Sequence, residues 1–162
     1  FDVAKHTIAE GGAERFHSVR NGIAALRSAP ELIAVQDGVR PLVCEELIRR
    51  TLQEAAAYGA AVPVVEPVDS FRTTDGTTSS IVDRRSLRIV QTPQAFRAEV
   101  LLAAYATDFR PEFTDDASVA EAAGHTIRLC EGDPANLKIT RPADLTIAEA
   151  LLALRSESGP TE

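Results

Sequence analysis

A scattered set of polar side chains carries the chemistry in this chain: Ser18, Asp37, Arg40, Asp69, Ser70, Arg84, Thr92, Thr114, Asp115 and Lys138. Carboxylates, cations and hydroxyls together are the ingredients of a phosphate and magnesium site. Magnesium is held through one or two carboxylates plus phosphate oxygens, and cations offset the charge that builds on a transferred phosphoryl group. Signatures for covalent or zinc catalysis are missing: there is no GxSxG elbow and no HExxH, and His6, His17 and His125 stand far apart. Each residue of the set also has a plain structural reading. Thr114-Asp115-Asp116 can cap the next helix, whose dipole favours acidic groups there. Asp37 can pair with Arg40 across a turn, Arg84-Arg85 can be exposed charge, and Lys138 can be a solvated strand residue.

The elements that must position these side chains follow from hydrophobic spacing. Val19, Ile23 and Leu26 recur at helical intervals, which predicts a helix over 13–26 opened by Gly11-Gly12. Leu32 to Gln36 reads as a short buried strand, ending at Asp37. Pro41 leads into a helix carrying Leu47, Ile48, Leu52 and Ala55 and stopping near Gly59. Ala60 to Val65 is a continuous apolar strand of the kind covered on both faces. From Glu66 to Gln91 the pattern changes: DGTTSS is a turn signal, followed by Ile81-Val82 and Leu87 to Val90, which predicts a hairpin-like arm. Helices are expected over 97–106 and 116–123, strands over 126–130 and 137–140, and a last helix opened by Pro142. Residues 156–162 read as a polar, disordered tail. Strands alternating with helices predict an α/β fold with a largely parallel sheet.

Bulk properties narrow the class. At 162 residues, 44% of them hydrophobic, the chain suits one ordinary domain with a real core, and no apolar run is long enough to span a bilayer. A net charge of −7 argues against a general nucleic-acid binder. Cys44 and Cys130 lie far apart without CxxC spacing, so free thiols in a cytoplasmic protein are expected rather than disulfides or zinc. There is no signal-peptide pattern, and the sequence starts at Phe1 rather than Met.

Taken together, several segments resemble the 2-C-methyl-D-erythritol 4-phosphate cytidylyltransferases of non-mevalonate isoprenoid biosynthesis. They run in the family's order: GGAERFHSV (11–19), QDGVRP (36–41), PVVEPVDSFR (63–72), DRRSL and VQTPQAF (83–96), FTDDAS (113–118) and EGDPANLKITRPADL (131–145). The resemblance extends to about Leu154 and implies a Rossmann-like α/β nucleotidyltransferase domain over 1–155. It also implies an interlocking arm over 66–91 that makes a homodimer.

By the same resemblance, Gly12, Ala13 and Ser18 match the family's contacts to the cytidine of CTP, and Asp37 matches the aspartate that helps hold Mg2+ beside the triphosphate. Arg40 is expected to face the substrate site, and Ser70 stands where threonine is common. Arg84 matches an arm arginine that reaches into the partner subunit to hold methylerythritol phosphate. Thr92 and Thr114 match hydroxyls near that substrate, and Lys138 matches a lysine that stabilises the phosphates. Asp37, Lys138 and Arg84 are the implied catalytic residues. The implied reaction is in-line attack of the sugar-alcohol phosphate on the α-phosphate of CTP, with loss of pyrophosphate.

The sequence departs from the family in two places. QDGVRP replaces the usual HDAARP or HDAVRP, and nothing matches the first strand and glycine-rich loop that cradle the triphosphate, which implies an N-terminally incomplete form. Two further readings stay open: a ribitol-5-phosphate cytidylyltransferase, which shares fold and motif order, and a catalytically silent dimerisation and substrate-binding fragment.

Overall fold

A computed structural model describes residues 6–28 and 30–157 of the chain. Two apolar pairs set its layers. Ala61 and Ala95 meet Ala55 on one face of the sheet, while Ala60 and Phe96 join Phe16, Leu101, Tyr105, Phe113 and Val119 on the other. Alternate residues along one strand thus feed two cores, as the two-residue period of a strand requires. One core lies under helix α2 (Glu45–Tyr58), the other under α1 (Arg15–Ala24), α3 (Ala98–Ala104) and α4 (Asp116–Ala122).

The sheet contains β1 (Leu32–Val35), β2 (Ala60–Val65), β5 (Ile89–Val90), β6 (Gln94–Arg97) and β7 (Arg128–Glu131). The α/β expectation holds, but the sheet is mixed rather than largely parallel. β6 lies between β1 and β2 and runs against both, β5 runs against β2, and β7 alone pairs in parallel, with β2. β1 is half exposed rather than buried, because among the described residues only β6 pairs with it. The expected strand over 137–140 does not form; that stretch is tied instead by the Ile139 amide donating to the Val39 carbonyl at 2.8 Å.

α2 turns Leu47, Thr51 and Ala55 inward at four-residue spacing and ends at Gly59, whose φ of +95° suits glycine. The last helix, α5 (Pro142–Glu157), takes in Ser156 and Glu157 of the expected tail, and the rest of that stretch, 158–162, lies outside the described residues. Within the span expected for the arm, the hairpin is shorter than the sequence pattern predicts. β3 (Phe71–Thr74) and β4 (Ser79–Val82) make a separate antiparallel hairpin, while Ile89 and Val90 leave it and join the main sheet. No helix among the described residues is long and apolar enough to cross a membrane.

One irregularity shapes the end of the sheet. Ala61 stands opposite Ala95 and Val64 opposite Val90, so Val62 and Pro63 face four residues, Gln91 to Gln94. Pro63 has no N–H to offer, and its carbonyl accepts from the Gln91 amide at 2.8 Å. The extra residues bulge out, and a bulge re-aims side chains. Here they are aimed at the end of β1.

Candidate active site

Beyond the end of β1, a cavity of about 290 Å³ is lined by Arg15, Asp37, Arg40, Thr92, Thr114 and Lys138, with the polar side chains of Gln94 and Asp115 at its wall. Its floor is a closed ring of hydrogen bonds. The Asp37 amide donates to Thr92 Oγ1 at 3.0 Å, Asn136 Nδ2 donates to the Thr92 carbonyl at 2.7 Å, and Arg40 Nη1 donates to the Asn136 carbonyl at 2.7 Å. Arg40 Nε closes the ring on Asp37 Oδ2 at 3.4 Å. Asn136 is fully buried and Thr92 nearly so, so these bonds are shielded from water. The Gln91 side chain braces the same loop, donating to the Asp133 carbonyl and accepting from the Asp133 amide.

Asp37 sits among cations. Lys138 Nζ is 3.2 Å from Oδ2, Arg40 Nε is 3.4 Å from the same oxygen, and Arg15 Nε is 3.8 Å from Oδ1. The Arg40 guanidinium also donates to the Val90 carbonyl and is almost entirely buried, so it lines the cavity but spends its donors on the scaffold. Lys138 is half exposed and makes no other ion pair among the described residues. Oδ1 of Asp37 accepts no hydrogen bond from the described residues, which leaves it open to a further cation. No group of three His, Cys, Asp or Glu that could hold a metal by itself occurs among the described residues. A lone carboxylate is still what Mg2+ takes when phosphate oxygens complete its shell.

The rear wall holds residues that the sequence reading did not single out. Asp116 is completely buried, and its Oδ2 accepts from Arg15 Nη2 at 2.6 Å while Oδ1 accepts from the Tyr105 hydroxyl at 2.6 Å. Burial, and then the negative charge of Asp116, push the Tyr105 phenol far above its ordinary range, so it remains a proton donor. Burial works against charge on Arg15, but the hydrogen bond and charge of Asp116 outweigh it and hold the guanidinium above its usual range. Phe16 fixes this corner, stacking on Tyr105 with centroids 4.8 Å apart and on Phe113 at 5.6 Å. Asp115 does cap α4, in a capping box with Ser118, and its other oxygen accepts from Gln94 Nε2 at 2.8 Å.

The remaining expected residues lie elsewhere. Ser18 Oγ accepts from the Gly12 amide at 2.9 Å, folding the Gly11-Gly12-Ala13 loop back onto α1. A Cβ on Gly12 would stand 2.2 Å from that of His17, so only glycine fits there. Ser70 and Arg84 belong to the arm. Arg84 donates to the Val68 carbonyl and lines a separate cleft with Glu66, Arg85 and Arg88. Asp69 is exposed and lines no part of the cavity. Within one chain, the cavity gathers Asp37, Arg40, Thr92, Thr114 and Lys138 and leaves out Gly12, Ala13, Ser18, Ser70 and Arg84.

Comparison with known proteins gives consistent matches. The family model for 2-C-methyl-D-erythritol 4-phosphate cytidylyltransferase matches residues 2–154. The protein of that name from Bacteroides thetaiotaomicron is 49% identical over 148 residues, covering 91% of this chain and 67% of that protein. A bifunctional enzyme IspD/IspF of Nitrobacter hamburgensis is 45% identical over 151 residues, covering 90% of this chain and 38% of that protein. The crystal structure of 2-C-methyl-D-erythritol 4-phosphate cytidylyltransferase from Thermus thermophilus superposes with a TM-score of 0.78 at 38% identity, covering 88% of this chain and 70% of that one.

Proposed function

The chain belongs to the 2-C-methyl-D-erythritol 4-phosphate cytidylyltransferase family, and from that premise we propose how it joins CTP to 2-C-methyl-D-erythritol 4-phosphate with release of pyrophosphate. The observation that carries the reading is the convergence of Asp37, Thr92, Thr114 and Lys138, from four distant segments, on one cavity at a strand end. Such crevices are where open α/β sheets bind their ligands.

The reaction asks the protein for positioning and charge neutralisation, because the acceptor phosphate is itself the nucleophile and no covalent partner is needed. Lys138, exposed enough to swing, offsets charge on the phosphates during attack. Thr92 and Thr114 offer hydroxyls to the acceptor, Gly12, Ala13 and Ser18 meet the cytidine, and Arg40 holds Asp37 in register. Asp37 fits a divalent cation through its open oxygen, and Mg2+ bound there with phosphate oxygens would draw charge from the phosphates undergoing transfer.

Homodimerisation through the 66–91 arm is part of the same proposal. It is supported by apolar side chains left in water on the arm, Val68 at 83% and Ile81 at 68% exposed, a surface normally covered by a partner. In a dimer, Ser70 and Arg84 would serve the neighbouring cavity. A cytoplasmic location belongs to the reading too, supported by the unpaired thiols of Cys44 and Cys130.

The test is pyrophosphate release from CTP and Mg2+, with methylerythritol 4-phosphate and ribitol 5-phosphate as parallel acceptors. Turnover with the first is expected. Turnover with ribitol phosphate alone would overturn the choice of acceptor, and a monomer in sedimentation would overturn the dimer.

A further inference from the structure

Three cations line the cavity beside Asp37, and they are not equally available to a substrate. Arg40 is spent on Asn136, Val90 and Asp37 and is 9% exposed. Lys138 is available but loosely held, with one ion pair among the described residues and 48% exposure. Arg15 combines the two properties a phosphate-binding cation needs. One edge is fixed, Nη2 donating at 2.6 Å to the fully buried Asp116, itself held by Tyr105. The rest is open among the described residues: the side chain lines the cavity and is 34% exposed, and its nearest other charged partner there, Asp37 Oδ1, lies 3.8 Å from Nε, beyond hydrogen-bond reach. An arginine present merely to neutralise Asp116 would gain from being buried with it. This one is instead held at the rim with donors to spare, and the guanidinium fork matches phosphate geometry.

We propose that Arg15 is a further catalytic residue, whose free edge binds a phosphate group of the substrates over Asp37, while Asp116 and Tyr105 are positioning residues that act through it. The inference rests on the cytidylyl transfer proposed above. Lys138 would then be the mobile cation of the site and Arg15 the preorganised one, fixed before substrate arrives and so costing no reorganisation during the reaction.

Kinetics of the full chain with CTP, Mg2+ and methylerythritol 4-phosphate test it. Arg15→Met should lower kcat by about 10²- to 10³-fold, the usual cost of one preorganised donor. Arg15→Lys should recover at least about tenfold of that loss by returning the charge without the fork. Activity of Arg15→Ala should rise on adding millimolar ethylguanidine, which returns a guanidinium to the rim of the cavity. Tyr105→Phe, which keeps the ring packing, should cost roughly 2- to 10-fold, the worth of one hydrogen bond. A folded Arg15→Met enzyme with kcat within about twofold of the unaltered one would overturn the proposal, as would an equal loss in all Arg15 variants without rescue. If the unaltered protein turns over neither acceptor, the assigned reaction falls, and calorimetry with pyrophosphate decides for Arg15 by itself. Binding weakened about tenfold or more by Arg15→Met supports the phosphate contact, whereas unchanged affinity, or no pyrophosphate binding to the unaltered protein, overturns it.

Discussion

The cavity and the arm are built in opposite ways. In the cavity, side chains far apart in sequence hold one another: Asp37 to Thr92, Thr92 to Asn136, Asn136 to Arg40, Arg15 to Asp116. In the arm the bonds are local and wet. Asp75 binds Thr77 and Thr78, Asp83 binds Arg85, and Arg72 binds Ser79 across the hairpin. The cavity is therefore a property of the whole fold, whereas the arm is a self-contained hairpin that only presents side chains. Substitutions in the cavity should disturb chemistry, and within the ring also folding, while those in the arm should disturb binding alone.

The largest effect is expected at Asp37. Asp37→Asn keeps the shape and the backbone N–H donated to Thr92 but leaves Lys138, Arg40 and Arg15 facing a neutral group and removes the proposed magnesium ligand. We expect kcat to fall by about 10²- to 10³-fold, read by pyrophosphate release. Full activity in this variant would dissolve the site as described. Next is Asn136→Ala, which leaves the buried Thr92 carbonyl without its donor and opens the ring. Urea denaturation should show a loss of about 2–3 kcal/mol, with kcat reduced as well. A stable, slow variant would mean that the ring serves chemistry without supporting the fold.

Much of this was legible in the sequence, for reasons that also explain what was not. Helical spacing, with the Gly11-Gly12 opening, the Gly59 stop and the Pro142 start, located α1, α2 and α5, and an unbroken apolar run gave β2 its full extent, Ala60–Val65. β6 escaped because Gln94–Arg97 passes directly into α3 at Ala98, so no turn signal divides them, and because a fully buried Gln94 is unusual inside a strand. Leu137–Thr140 alternates as a strand should, yet has no neighbour among the described residues to form a ladder with. Arg15 and Asp116 were missed since they are 101 residues apart and no spacing links them. One signal was present. A helix cap needs a single carboxylate, and Asp115 supplies it. The second, Asp116, falls on the same helix face as Val119 and Ala120, so it had to be buried and had to have a partner.

Arm substitutions sharpen the comparison from the other side. Arg84 is exposed and its side chain is bound within its own chain only to the Val68 carbonyl among the described residues, so Arg84→Ala should leave thermal stability unchanged. If the arm serves a neighbouring cavity, KM for methylerythritol 4-phosphate should rise about tenfold, the worth of one charge-assisted hydrogen bond, with KM for CTP little altered. An equal rise in both would place Arg84 at the nucleotide instead.

The smallest effect tests whether the arm organises itself. The Asp75 carboxylate accepts from the Thr78 and Thr77 amides and the Thr78 hydroxyl, which lowers its pKa from 3.8 to about 2. A carboxylate with a folded pKa below its unfolded one lends stability that is complete above the unfolded value and is lost as pH falls through the folded value. Asp75 should thus support the turn fully above about pH 4 and release it as pH drops toward about 2. NMR of the Thr77 and Thr78 amides should show that titration, with its midpoint near 2 and absent in Asp75→Ala. A midpoint at the ordinary value of 3.8 would mean that the turn is not held by these bonds in the free chain. The arm would then owe its shape to whatever it docks against, and the contrast with the cavity would narrow to where each finds its partners.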